Sequence, residues 1–175
     1  MKGQIILRNI VITGFMASGK TTVSKELKRV TGMELADTDE LIEKSENKTV
    51  NRIFSENGEA YFRDREKEFS HKLSEMDGMI ISTGGGFVLN PDNINNLRKN
   101  GVVFFLDTDF SIIEKRIYKA AQTRPLMRNS SIEEIRQRYI GRLQFYDNCD
   151  YKIKVFENDT PKTLAKKILS IYNEE

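Results

Sequence analysis

The chain has 175 residues, 38% hydrophobic and 31% charged, with 28 basic against 26 acidic side chains and a net charge of +2. This predicts one soluble globular domain over residues 1–175 with room for a real core, and the charge balance excludes the basic stripe of a dedicated nucleic-acid binder. One cysteine, Cys149, excludes an internal disulfide and suits a reducing compartment; it reads as a small buried filler. Arg8 and Asn9 break the N-terminal apolar stretch too early for a secretory signal, and no run reaches the length of a membrane span. A cytoplasmic protein with no membrane partner is expected. The single histidine, His71, makes no metal site.

Residues 10–13 (Ile-Val-Ile-Thr) form an apolar run that reads as a buried strand. Gly14-Phe15-Met16-Ala17-Ser18-Gly19-Lys20-Thr21 follows, a complete G-x-x-x-x-G-K-[ST] phosphate-binding loop. Gly14 and Gly19 let the backbone wrap so that its N–H groups point at phosphate oxygens. The helix over 20–30, with Val23, Leu27 and Val30 at helical spacing, adds the positive end of its dipole. Lys20 can reach the β- and γ-phosphates, and the Thr21 hydroxyl can ligate Mg²⁺. A nucleoside triphosphate is therefore the expected ligand.

A weaker strand over 34–36 leads into Asp37-Thr38-Asp39 and a helix over 39–45. In an open α/β sheet, strand ends beside the phosphate loop form the ligand crevice. The two carboxylates can serve Mg²⁺ or an acceptor hydroxyl, or Thr38 or Asp39 can simply cap the helix. Helices over 50–56 and 59–76 follow, the first opened by Thr49. In the second, Arg63, Glu66 and Lys67 share a face. That cluster reads either as solvated ion pairs or, with Phe62 beside Arg63, as a grip for a small anion. The strand over 80–82 runs into Thr83-Gly84-Gly85-Gly86. Three glycines permit positive φ and close approach of a ligand to the backbone, or make a flexible turn.

Next come a helix over 91–99 with Pro91 in its first turn, a strand over 102–106 and a helix over 110–118. Residues 119–131 are polar, lack a clear period and contain Arg124 and Pro125, which suggests a lid over the phosphates. A helix over 132–146 carries Arg142. A strand over 151–155 and a helix over 160–172, started by Thr160-Pro161, complete the chain. This alternation predicts a mainly parallel sheet with helices on both faces.

Taken together, the phosphate loop, Asp37-Thr38-Asp39, Glu59…Phe62-Arg63…Glu66, Thr83-Gly84-Gly85-Gly86, Thr123-Arg124-Pro125-Leu126 and Arg142…Tyr146 resemble the shikimate kinase family in order and spacing, over nearly the whole chain. The resemblance implies a three-layer α/β/α P-loop fold with a five-stranded parallel sheet, a lid at about 119–131 and a substrate-binding segment at about 37–66. It implies transfer of the ATP γ-phosphoryl to the 3-hydroxyl of shikimate by a monomeric cytoplasmic enzyme. By position, Asp39, Arg63, Gly84, Gly85, Gly86 and Arg142 would hold shikimate. Gly14, Ala17, Ser18, Gly19, Lys20, Thr21, Thr22, Arg116, Arg124 and Pro161 would hold ATP. Lys20, Asp39 and Arg124 would be catalytic, and Thr21 and Asp37 would serve Mg²⁺. The chain departs from the family pattern at Ala17, where glycine is usual and a negative φ is expected here. It departs again at Gln144, where proline is common and glutamine continues a helix better.

Two other readings compete with this one. A gluconate or nucleotide kinase would share the loop, but a nucleotide acceptor needs a base-reading pocket, and arginines with an acidic triplet suit a polyhydroxy acid better. A non-catalytic kinase-like regulator should have lost Lys20, Asp39 or the lid arginine, and all three are present.

Overall fold

The computed structural model describes residues 7–123 and 131–174. Among them are five strands: β1 (Asn9–Thr13), β2 (Glu34–Asp37), β3 (Met79–Ser82), β4 (Gly101–Thr108) and β5 (Tyr151–Val155). Seven α-helices alternate with them: α1 (Lys20–Thr31), α2 (Thr38–Glu46), α3 (Val50–Ser74), α4 (Pro91–Arg98), α5 (Phe110–Thr123), α6 (Ile132–Tyr146) and α7 (Pro161–Tyr172). The sheet order is β2-β3-β1-β4-β5, and every pairing is parallel. Ile10 of β1 lies opposite Ile80 of β3 and Val102 of β4, so β1 is central. The crevice of such a sheet opens at the carboxyl ends of its strands, where the chain switches direction of winding. The loop after β1 lies at that point.

Side chains alternate across the sheet with the period of a strand. Ile10, Ile12, Phe104 and Leu106 pack with Leu27 of α1 and Leu164 and Ile168 of α7. Val11, Val103 and Phe105 face the other way, against Leu73, Ile94, Ile113 and Tyr146. A third, smaller cluster of Ile42, Ile53 and Phe62 ties α2 to α3. The segment expected to bind substrate therefore has its own apolar anchor, and the polar ends of α2 and α3 can face the crevice.

The predicted elements recur with shifts of a residue or two at most ends. Thr49, Asn90 and Thr160 cap α3, α4 and α7 through their side chains, as their positions suggest. The two helices read at 50–56 and 59–76 are the two arms of α3, which breaks at Gly58 with φ 83° and ψ 169°. Gln144 lies inside α6, which runs through to Tyr146. Three expectations are corrected. Helix α5 does not stop at 118 but continues to Thr123. Lys119, Ala120, Ala121 and Gln122 are all compatible with a helix. At the other end of the expected lid, Ser131 is the N-cap of α6, in a reciprocal capping box with Glu134. The cap of α2 is neither Thr38 nor Asp39 but Asp37, whose Oδ1 accepts from the Asp39 and Glu40 amides at 3.1 and 3.5 Å. No helix among the described residues is long and apolar enough to cross a membrane.

Candidate active site

The phosphate loop spans the gap from β1 to α1. Gly19, at φ 105°, is the N-cap of α1, and no side chain caps that helix end. Its first turn carries no acidic residue, so the amides and dipole there are available to an anion. Ala17 has φ 58°, which corrects the negative φ expected for it. The loop imposes a left-handed residue at this place, and alanine adopts it at a cost of about 1–2 kcal/mol.

Lys20 lies folded under its own loop, its Nζ donating to the carbonyls of Gly14 at 2.7 Å and Phe15 at 2.9 Å. Burial lowers its pKa to about 8 against the opposing pull of Asp39 and Asp37. A cleft of about 430 Å³ runs from this loop to α7. It is lined by Ala17, Ser18, Gly19, Lys20, Thr21 and Thr22 at one end and by Arg116, Asp159, Pro161 and Leu164 at the other. The Arg116 guanidinium donates to the carbonyls of Ala17 and Ser18 at 3.0 and 2.8 Å. Ala17, Ser18, Gly19, Lys20, Thr21 and Thr22 thus meet Arg116 and Pro161 in one cleft, while Gly14 is not part of its lining. Arg124 lies outside the described residues.

A second group of expected residues converges beside the loop. Asp39, in the first turn of α2, is half-buried, and its pKa is raised to about 6. Burial is the main cause, Asp37 and Glu43 add to it, and Lys20 and Arg63 oppose it. Arg63 on α3 is held by Glu66 at 2.7 Å and by Glu59 at 2.7 and 3.2 Å. Arg142 on α6 donates to the Gly85 carbonyl at 3.3 Å, and burial lowers its pKa. The glycine run touches all three: Gly84 beside Asp39, Gly86 beside Arg63 and Gly85 under Arg142.

The glycines do not owe their place to positive φ. None of Gly84, Gly85 and Gly86 is in the left-handed region, which corrects that part of the expectation. The neighbours of Gly84 and Gly86 leave no room for a Cβ, whereas at Gly85 a Cβ would come no nearer than 3.4 Å to any atom.

Two residues of the site were not singled out from the sequence as site residues. Glu66 is only 1% exposed, and burial raises its carboxyl to a pKa of about 7 despite Arg63 beside it. Tyr146 is fully buried, stacks on Phe105 at 4.9 Å and donates its hydroxyl to the Gly85 carbonyl at 2.6 Å. Both had a local signal, at i+3 from Arg63 and i+4 from Arg142, positions that share a helix face. What no spacing reveals is that Glu66 faces inward.

A glycine-framed loop at the carboxyl end of a central parallel strand, opening a helix and carrying a partly buried lysine, defines a P-loop nucleotide-binding protein. The chain's relatives narrow that class. A family model described as shikimate kinase matches residues 16–173. A shikimate kinase of Caldicellulosiruptor bescii is 42% identical over 95% of this chain and 96% of the relative. The structure of the Acinetobacter baumannii shikimate kinase in complex with shikimate superposes with a TM-score of 0.84, at 30% identity, covering 96% of this chain and 94% of that one. The Aquifex aeolicus shikimate kinase superposes at 0.78, with 34% identity over 95% and 96% of the two chains. The chain belongs to the shikimate kinase family.

Proposed function

We propose that the chain transfers the γ-phosphoryl of ATP to the 3-hydroxyl of shikimate, as a monomer in the cytoplasm, in the route to aromatic amino acids. The observation that carries this reading is the convergence of Asp39, Arg63 and Arg142 on the glycine run next to Lys20. Shikimate is a carboxylate with three ring hydroxyls. Arg63 and Arg142 offer forked donors for the carboxylate, and ionised Asp39 accepts from hydroxyls. Gly85 presents bare backbone to the ring.

ATP is assigned to the cleft, its phosphates on the loop amides of Gly14, Ala17, Ser18, Gly19, Thr21 and Thr22 and its base between Arg116 and Pro161. Phosphoryl transfer depends mostly on alignment and charge neutralisation. Lys20 has both reach and charge for this: its ammonium leaves two loop carbonyls for phosphate oxygens. Arg124 is assigned the transferring group by its Thr-Arg-Pro-Leu setting in a lid between α5 and α6. Asp39 orients the acceptor hydroxyl and takes up its proton as the bond forms. Thr21 is exposed in the cleft, and with Asp37 it offers the oxygen ligands that suit a hard cation. Among the described residues no cluster of three acidic, histidine or cysteine side chains could hold a metal. That fits Mg²⁺, which takes most of its ligands from phosphates and water. Thr21 would hold it directly and Asp37 in its outer shell, and it would neutralise charge on the phosphates. The near-balanced charge of the chain supports a small-molecule partner and not a nucleic acid.

Phosphorus NMR of the protein with ATP and Mg²⁺ tests this, with shikimate, gluconate and AMP supplied in parallel. A new phosphomonoester signal with shikimate alone supports the assignment. Phosphorylation of gluconate or AMP in its place would refute it.

A further inference from the structure

Resting on the assignment of Asp39 and Arg63 to substrate, we infer that Gly84 and Gly86 are positioning residues: each is the slot that seats one of those two side chains. Only Gly85 then offers backbone to the substrate. A Cβ on Gly86 would fall 2.5 and 2.6 Å from the terminal nitrogens of Arg63 and 2.8 Å from its Cζ. A Cβ on Gly84 would collide with Oδ1 of Asp39 and lie 3.0 Å from its Cγ. The middle glycine differs. Its Cβ would meet no side chain, only backbone, the nearest atom being the Met16 amide at 3.4 Å.

Backbone conformation does not demand glycine at either outer position. Gly86 has φ −102° and ψ −2°, and Gly84 is not in the left-handed region, so alanine suits both backbones. The requirement is space alone.

In each collision the side chain yields, because the loop is tied down on every side. The Gly84 amide donates to the Oγ1 of fully buried Thr38 at 2.9 Å. The Gly85 carbonyl accepts from Tyr146 at 2.6 Å and from Arg142. The Gly84 and Gly86 carbonyls accept from the amides of Phe87 at 3.2 Å and Leu89 at 3.0 Å, and the Phe87 ring is fully buried. Arg63 and Asp39 are only partly buried and have rotamers to move into. One rigid strip thus sets the mutual position of the acceptor carboxylate, through Gly84, and of both arginines, through Gly86 and the Gly85 carbonyl. A methyl group at 84 or 86 should displace a substrate group without unfolding the chain.

The test is a double-mutant cycle on shikimate affinity by calorimetry, with Gly86→Ala, Arg63→Ala and the pair. Gly86→Ala should weaken shikimate binding at least tenfold, hold ATP affinity within twofold and keep the wild-type melting temperature within about 3 °C. In the Arg63→Ala background it should change shikimate affinity less than twofold, because the group it displaces is gone. In turnover it should raise the shikimate KM and leave the ATP KM in place. If Gly86→Ala is as harmful without Arg63 as with it, or loses ATP and shikimate affinity alike, the slot is refuted while the role of Arg63 stands. If Arg63→Ala itself binds shikimate normally, the substrate assignment fails and the slot with it. If Gly86→Ala does not fold, space at 86 is needed by the fold itself and the Arg63 slot is refuted; the Gly84→Ala and Asp39→Ala cycle then decides the Asp39 slot by the same criterion.

Discussion

Lys20 at the end of the phosphate loop and Asp39 in the first turn of α2 come from different elements, yet each favours the other's charge. Burial pushes the lysine down to about 8 and the carboxyl up to about 6, while each partner pulls the other back. Both charges are present together only between those values.

A bell-shaped pH profile follows. The kcat/KM for shikimate reports groups of the free enzyme. It should fall below pH about 6 as Asp39 takes a proton, and above about 8 as Lys20 loses one. Initial rates from pH 5 to 9.5 check this. A profile flat from 5 to 7 would remove Asp39 from the acceptor role.

Asp39 also carries a stability consequence. Its folded-state pKa lies above the ordinary value of 3.8, so the folded form holds the proton more tightly than the unfolded chain. Its favourable contribution is complete below pH about 4 and is lost as pH rises through about 6. Asp39→Asn mimics the protonated form. It should be more stable than wild type by about 1 kcal/mol at pH 7.5, or about 2–4 °C in Tm for a chain this size, after allowance for solvent screening. The gap should close at pH 4. Thermal melts at both values decide it, and an Asn variant less stable at pH 7.5 would contradict the burial argument.

Ala17 occupies left-handed backbone at φ 58°. Ala17→Gly relieves about 1–2 kcal/mol of strain and loses up to about 1 kcal/mol through the freer unfolded chain. The net expectation is a gain of about 0.5–1 kcal/mol, read as a rise of roughly 2 °C in Tm. A fall in Tm would show that the loop accepts alanine without strain.

Lys20→Ala should abolish transfer in a chain that still melts cooperatively. The ammonium neutralises charge between the β- and γ-phosphates, and no other described lysine lines the loop end of the cleft. A folded variant with wild-type turnover would refute the assignment.

Much of this was legible in the sequence because it is local. Alternating apolar runs marked the sheet, Thr49, Pro91 and Thr160 marked helix starts, and the phosphate loop identified itself by spacing. The helices read separately at 50–56 and 59–76 are the two arms of α3, which is broken at Gly58. What stayed hidden depends on distant contacts. The inward turn of Glu66 is set by the packing of α3, and the hold of Tyr146 on Gly85 spans 61 residues of chain. The left-handed Ala17 is imposed by the geometry of the loop against the propensity of the residue. The absence of positive φ in the triple glycine was hidden for the same reason: what crowds Gly84 and Gly86 are Asp39 and Arg63, 45 and 23 positions away in the chain.

The most direct test is calorimetric titration of shikimate and of ATP into wild type, Arg63→Ala and Arg142→Ala. Losing one charge-assisted pair to the carboxylate should cost about 1.5–3 kcal/mol, or roughly one to two decades in shikimate affinity, with ATP affinity nearly unchanged. Wild-type shikimate affinity in both variants would contradict the carboxylate clamp, and with it the choice of shikimate as the acceptor.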